Sequence, residues 1–178
     1  MDLPATDSSV WPALEATARA LAERCDVYAI ACNTLNVYAP RLHDLSLPAR
    51  LITPPDAVAS WAEDEGIDAV GLLGARPVAT LTDWSPYASL AEGLRVETPP
   101  DVDGLHELIL DIKADGGAAP SHADRLAALA LEFDTRHLLL ACTELPLVAI
   151  PVNGKVMVDP TDLVAAELVR CWSELAAS

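Results

Sequence analysis

The chain has few basic residues and no long apolar run, and each shortage excludes a class of function. Its 178 residues include 27 Asp and Glu but only 11 Lys and Arg, which gives a formal net charge of -16. This charge repels nucleic acids and anionic membranes. A small anionic substrate stays open, because backbone amides and one or two basic groups can dominate inside a cleft. No apolar stretch approaches membrane-spanning length and no basic region precedes an apolar one at the start, so we expect a soluble, cytoplasmic protein.

The sequence also lacks the usual patterns of metal, disulfide and nucleotide sites. Cys25, Cys32, Cys142 and Cys171 show no CxxC spacing, and the four histidines are scattered. The glycines of the segment GLLG have neither a phosphate-loop lysine nor a GxGxxG context. We therefore expect no metal and no cofactor, which leaves thiol chemistry or simple packing for the cysteines.

Strand-like and helix-like segments alternate along the chain. The segments DAVGLLG (68–74) and HLLLAC (137–142) are apolar without alternation, as in strands buried on both faces. Shorter strands are predicted at 27–31, 49–52, 94–98 and 156–158. Helices are predicted from a cap at Ser8 or Ser9, at 34–42, 54–66, 85–93, 101–114 and 121–133, and after Thr161. This alternation predicts an α/β protein with a parallel sheet and helices on both faces.

Two segments are near copies of each other: YAIACNTLN (28–36) and HLLLACTEL (137–145). In each, an apolar strand ends at Ala-Cys and is followed within two residues by Thr. Ligands of parallel α/β sheets bind beyond the carboxyl ends of the strands. The repeat therefore predicts that Cys32 and Cys142 lie on either side of one crevice, whereas Cys25 and Cys171 fall on apolar helix faces and are expected to pack in the core.

Two thiols facing each other across a planar carbon can exchange a proton there. One removes a proton from one face while the other delivers a proton to the opposite face, which requires different protonation states. Helices starting near Thr34 and Glu144 would favour the thiolate of the cysteine before each. Asn33, Thr34 and Thr143, with free backbone N–H groups, could hold a carboxylate. Packing of two cysteines at buried strand ends is the alternative interpretation.

These motifs resemble those of the aspartate/glutamate racemase superfamily, which includes the hydantoin racemases. CNT (32–34) and ACTELPLV (141–148) are similar to its two cysteine motifs. Between and after them VGLLG, SPY, VETP, ILDIKADGG and VDPTDL follow in family order. The resemblance implies two pseudosymmetric parallel-sheet lobes with the active site between them. Residues 1–60 and 151–178 would form a first lobe truncated at its N-terminus, and residues 61–150 the second.

The resemblance also implies a function. The protein would be a cofactor-independent isomerase, an amino-acid racemase or epimerase, using Cys32 and Cys142 for proton transfer at a carbon next to a carboxylate. Substrate-binding roles would fall to Asn33, Thr34, Thr143, Glu144 and Lys113. Within this set Glu144 would assist the second thiol and Lys113 would face the distal carboxylate, with a solvated helix lysine as the alternative. Tyr87 is expected to pack. The partner would be a small carboxylate or amino acid, and a homodimer is allowed.

Three features depart from the family pattern. Only 31 residues precede Cys32, so the Gly-rich segment of the first lobe has no counterpart. Leu35 and Asn36 follow CNT where a small residue and His are usual, and Ala75 stands where Thr is usual. Each departure weakens the case for aspartate as the substrate. A repurposed pathway enzyme (a cyclase, cis-trans isomerase or decarboxylase) and a non-catalytic binding subunit are therefore the alternatives.

Overall fold

Two parallel sheets organise the protein. The computed structural model describes the backbone of residues 3–176 and the side chains of residues 10–175. A two-stranded sheet pairs β1 (Val27–Ala29) with β2 (Arg50–Ile52). A four-stranded sheet has the order β4-β3-β5-β6 and consists of β3 (Ala69–Gly74), β4 (Arg95–Glu97), β5 (His137–Ala141) and β6 (Val156–Val158). Every strand pairing in the described chain is parallel, which confirms the predicted α/β class.

Helices connect these strands. The α-helices are α1 (Leu3–Ala22), α2 (Ala39–Asp44), α3 (Pro54–Glu65), α4 (Arg76–Ala79), α5 (Val102–Asp115), α6 (Ser121–Leu131) and α7 (Pro160–Ala176). Short 3-10 helices occur at Thr34–Tyr38, Ala88–Glu92 and Leu145–Leu147. No helix in the described part of the chain is both long and apolar enough to cross a membrane.

The ends of α3 and α5 follow from local sequence. Thr53 caps α3 by accepting a hydrogen bond from the Asp56 N–H at 3.2 Å. Asp101 caps α5 in the same way, with the Gly104 N–H at 2.8 Å. Gly66 and Gly116 end these helices in left-handed conformation, which glycine adopts without steric cost. The predicted bounds of both helices are therefore nearly correct.

Apolar clusters cover both faces of the four-stranded sheet. Leu138 and Leu140 of β5 join one cluster, and Leu139 and Ala141 join the other. The first cluster is completed by four buried side chains of α5: Leu105, Leu108, Ile109 and Ile112. Alternate residues of a strand point to opposite faces, so β5 must be apolar at every position.

Two predicted helix starts are wrong. Helix α1 already includes Ser8 and Ser9, whose side chains lie outside the described residues. The segment after Ser85 forms only a 3-10 helix, because the Ser85 hydroxyl donates to the Val78 carbonyl at 2.6 Å and holds this segment in a tight loop. Helix α6 begins at Ser121 as predicted, although no side chain caps it.

The assignment of residues 1–60 and 151–178 to a truncated first lobe stays a prediction. Helix α7 packs against α3 and β1, and Val164 and Cys171 share an apolar cluster with Ile52. Strand β6 instead hydrogen-bonds to β5 and extends the larger sheet. The C-terminal segment thus contributes to both sheets, with the switch between them just before α7.

Candidate active site

Both repeated cysteines lie at the carboxyl ends of parallel strands. Cys142 directly follows β5, and Cys32 lies three residues beyond the end of β1. A helical segment begins at Thr34 as predicted, with a 3-10 helix of five residues that continues directly into α2. After Cys142 only a 3-10 helix of three residues forms, starting at Leu145. This short segment aligns few peptide dipoles, so it gives little support to a thiolate at Cys142.

The environment of Cys142 favours the neutral thiol. Its side chain is 7% exposed, and Sγ donates a hydrogen bond to Glu144 Oε2 at 2.9 Å. Burial, together with the Glu144 carboxylate, raises the pKa of Cys142 to about 12. The prediction of a favoured thiolate is therefore wrong for Cys142, because desolvation and a neighbouring negative charge both oppose ionisation.

Glu144 links Cys142 to Lys113. Lys113 Nζ lies 3.5 Å from Glu144 Oε1, and the exposed Thr143 donates its hydroxyl to Oε2 at 3.2 Å. Partial burial raises the pKa of Glu144, but the Cys142 hydrogen bond and the Lys113 charge outweigh this and hold it below its usual range. Glu144 is therefore a carboxylate at neutral pH.

Cys32 and Lys113 both line a cavity of about 250 Å³. Thr34 and His106 also line it, and His106 Nδ1 accepts a hydrogen bond from the Arg76 N–H at 3.4 Å. We call this cavity the cleft. Lys113 contacts Glu144, and Glu144 accepts a hydrogen bond from Cys142, so polar contacts connect one lining residue of the cleft to the second thiol.

Asn33 is held by Tyr87. The Tyr87 hydroxyl donates to Asn33 Oδ1 at 2.5 Å, and both side chains are buried. Burial, with Asp159 nearby, raises the pKa of Tyr87, which keeps the phenol protonated. Tyr87 packs in the core as predicted, but no local pattern indicates its hydrogen bond to Asn33. Asn33 lines a second cavity of about 230 Å³, together with Cys32, and its role in binding substrate stays a prediction.

Asn36 fixes the backbone around Cys32. Its side-chain Nδ2 donates to the carbonyl of Cys32 at 2.9 Å and to that of Ile30 at 3.2 Å. The Cys32 N–H also donates to the Ile30 carbonyl, at 2.8 Å. Asn36 is buried. In the sequence Asn36 stands out only as a departure from the family motif, although a polar residue four positions after a candidate catalytic cysteine is a usable signal.

The remaining cysteines lie elsewhere. Cys25 Sγ donates to the Leu21 carbonyl at 3.1 Å, and the buried Cys171 lies 3.6 Å from an Arg50 nitrogen. Neither lines the cleft. Across the described side chains, no three His, Cys, Asp or Glu residues converge in a way that could hold a metal ion.

The fold and this arrangement define a class: an α/β protein with one cysteine near a strand end in each of two parallel sheets. The sequence profile described as Asp/Glu/Hydantoin racemase matches residues 2–168, and the chain belongs to that family. The family membership predicted from the two cysteine motifs is confirmed. The protein is accordingly an enzyme of the cofactor-independent racemase type.

Solved structures give the same fold. A putative Asp/Glu racemase from Yersinia pestis aligns with a TM-score of 0.77 at 20% identity, covering 93% of this chain and 75% of the other. An aspartate racemase homologue from Pyrococcus horikoshii aligns with a TM-score of 0.73 at 25% identity, and the alignment covers 94% of this chain and 74% of the homologue. Aspartate racemase from Picrophilus torridus aligns with a TM-score of 0.73 at 21% identity, and the alignment covers 90% of this chain and 68% of that enzyme. No curated protein sequence matches significantly.

Proposed function

We propose that the protein is an amino-acid racemase or epimerase in which Cys32 and Cys142 transfer protons at the carbon next to a carboxylate. One observation carries this proposal: both cysteines stand at strand carboxyl ends, and Lys113 and Glu144 connect the cleft at Cys32 to the thiol of Cys142. The names of the solved relatives, aspartate and glutamate racemases, support the same reaction type.

The two thiols take opposite roles. Cys142 starts as the thiol, because burial and Glu144 raise its pKa to about 12. Cys32 is partly exposed, lines the cleft and acts as the base. Cys32 removes the Cα proton, the electron pair moves into the carboxylate to give a planar intermediate, and Cys142 delivers its own proton to the opposite face.

The polar groups of the cleft stabilise this intermediate. Lys113 and Thr34 can hold the substrate carboxylate, where negative charge accumulates once the Cα proton has left. Proton delivery leaves Cys142 as a buried thiolate 2.9 Å from the Glu144 carboxylate. That state is unfavourable, and the positive charge of Lys113, 3.5 Å from the Glu144 carboxylate, partly offsets the repulsion between the two negative charges.

The test is Cα hydrogen exchange in deuterated water, followed by proton NMR with a panel of L-amino acids that includes aspartate and glutamate. Loss of the Cα signal together with appearance of the D-isomer is expected. Deuterium should appear at Cα of the D-isomer before it appears at Cα of the remaining L-substrate, because one group removes the proton and a different group delivers the new one.

Variants locate the chemistry. Cys32→Ser and Cys142→Ser should each lower the racemisation rate about 100-fold or more, the range for removal of a general acid or base. Cys25→Ser, which lies outside the cleft, is the matched control and should retain activity. Full turnover by folded Cys142→Ser would exclude the two-thiol mechanism.

A further inference from the structure

The walls of the cleft beside Cys32 are mainly apolar. Among the described residues, its apolar lining consists of Val10, Leu35, Ala75, Pro77, Ile109 and Leu110. Leu110 is 49% exposed, which is high for a large apolar side chain next to a cavity. A ligand covering Leu110 would remove this apolar surface from water, and the gain in free energy is roughly proportional to the area covered.

The cleft offers enough positive charge to bind one substrate carboxylate. Among the described lining residues Lys113 is the single Lys or Arg, and its charge is already partly balanced by Glu144 at 3.5 Å. The nearby Arg76 pairs with Asp103 at 2.9 Å. Burial, helped by Arg76, lowers the pKa of His106, so this imidazole is neutral at neutral pH.

A substrate with a second carboxylate would place a negative charge against these apolar walls. That group would lose its hydration without gaining a free cation from the described residues of the lining, which is costly. Glu144 adds a negative charge on the same side as Lys113. An apolar side chain meets no such penalty and gains from contact with Leu35, Ile109 and Leu110.

We infer that the substrate has a single carboxylate, bound near Lys113 and Thr34, and an apolar side chain of the size of leucine or phenylalanine that lies against Leu35, Ile109 and Leu110. The inference rests on the proposed racemase function and specifies its substrate class. The cleft volume of about 250 Å³ accommodates one amino acid of this size.

A matched set of substrates tests the inference. L-Leucine, L-asparagine and L-aspartate have side chains of similar shape but are apolar, polar and charged, respectively. Leucine should exchange its Cα hydrogen with a kcat/KM about 100-fold above that of aspartate, with asparagine between them. Phenylalanine tests the upper size limit.

Protection of Cys32 from alkylation reports binding without turnover. Iodoacetamide modification of the Cys32 peptide, followed by mass spectrometry, should slow at least fivefold in 10 mM L-leucine, a figure that corresponds to a Kd of about 2.5 mM or tighter, and should not slow in L-aspartate. Protection by leucine without exchange from any amino acid would support the inference and overturn the proposed function. Preference for aspartate in both assays would overturn the inference and leave the proposed function intact, and absence of protection by every amino acid would also overturn it.

A charge-switch variant gives an independent readout. Leu110→Arg adds a cation at a partly exposed position, so it should raise the kcat/KM for aspartate relative to leucine by at least about tenfold. Leu131→Arg, which places the same charge on an exposed residue of α6 outside the cleft, is the control and should leave the ratio unchanged. An unchanged ratio in folded Leu110→Arg would count against the assignment of this wall to the side chain.

Discussion

Tyr87 donates its hydroxyl to Asn33 Oδ1 at 2.5 Å, which ties the residue next to Cys32 to the core of the larger sheet. Tyr87 packs with Leu72 and Leu139 of β3 and β5. Position along the chain does not bring these two residues together, because 54 positions separate them. This hydrogen bond is therefore a direct link between the segment that carries the first thiol and the sheet that carries the second.

Tyr87→Phe should weaken this link. The variant leaves Asn33 Oδ1 buried without its donor, which should lower the free energy of unfolding by about 1–3 kcal/mol in urea denaturation. A double-mutant cycle with Asn33→Ala separates the hydrogen bond from packing. Strictly additive effects of the two substitutions would mean that the bond contributes nothing to stability.

Asn36→Leu should impair catalysis through the position of Cys32. The variant removes the donors to the Ile30 and Cys32 carbonyls while keeping a similar volume. We expect kcat to fall about 10- to 100-fold with KM little changed, and a changed alkylation rate at Cys32. Asn153→Leu, in an exposed turn, is the control. Unchanged kcat and alkylation in Asn36→Leu would show that the backbone holds Cys32 without this amide.

Glu144→Gln should lower the pKa of Cys142. Burial is the larger cause of the raised pKa and stays, but the carboxylate charge that adds to it is removed. The pH profile of Cys142 alkylation, measured in a Cys32→Ser background, should therefore move its midpoint below about 12. Glu107→Gln, on the exposed side of α5, should leave the profile in place. A midpoint shifted upward by Glu144→Gln would contradict this electrostatic account.

Glu97 should stabilise the fold at neutral pH but not in acid. Its carboxylate accepts hydrogen bonds from the N–H groups of Asp134 and Thr135, both at 2.8 Å, and from the Thr135 hydroxyl. Partial burial raises the pKa of Glu97, yet these hydrogen bonds outweigh burial and hold it below its usual range. A lowered folded-state pKa gives stability that is present above the unfolded value of about 4.3 and is lost as the pH falls through the folded value.

The measurement is urea unfolding of wild type and Glu97→Gln at pH 7 and pH 3. The variant should be less stable by about 1 kcal/mol at pH 7, and the difference should shrink at pH 3. Glu92→Gln, which is exposed, serves as the control. A difference that grows on acidification would contradict the assigned direction of the pKa.

The sequence determined the parts of the fold that depend on local signals. The continuous apolar segments 68–74 and 137–142 became β3 and β5, because strands buried on both faces need apolar residues at every position. Capping residues and glycines placed α3 and α5. The segment at Ser85 could not be read in this way, since its conformation depends on a hydrogen bond to Val78, seven residues earlier.

In the candidate site, too, some features follow from the local sequence and others depend on tertiary contacts. The repeat of Ala-Cys at two strand ends makes Cys32 and Cys142 candidates without any tertiary information. The tie between Tyr87 and Asn33 depends on tertiary contact across the molecule, as does the contact of Lys113 with Glu144. The predicted preference of Cys142 for the thiolate was wrong for the same reason. Burial and the Glu144 contact, which raise the pKa of Cys142, exist only in the folded chain.

The two cysteine-bearing strands have unequal support. Strand β5 hydrogen-bonds to β3 on one side and β6 on the other, whereas β1 pairs with β2 alone within residues 3–176. Amide hydrogen exchange should therefore be slowest at β5 and markedly faster at β1, because a strand paired on one side opens with less loss of structure. Cys32 lies beside the strand that should open more often, so we expect ligand to enter and leave on the side of the smaller sheet.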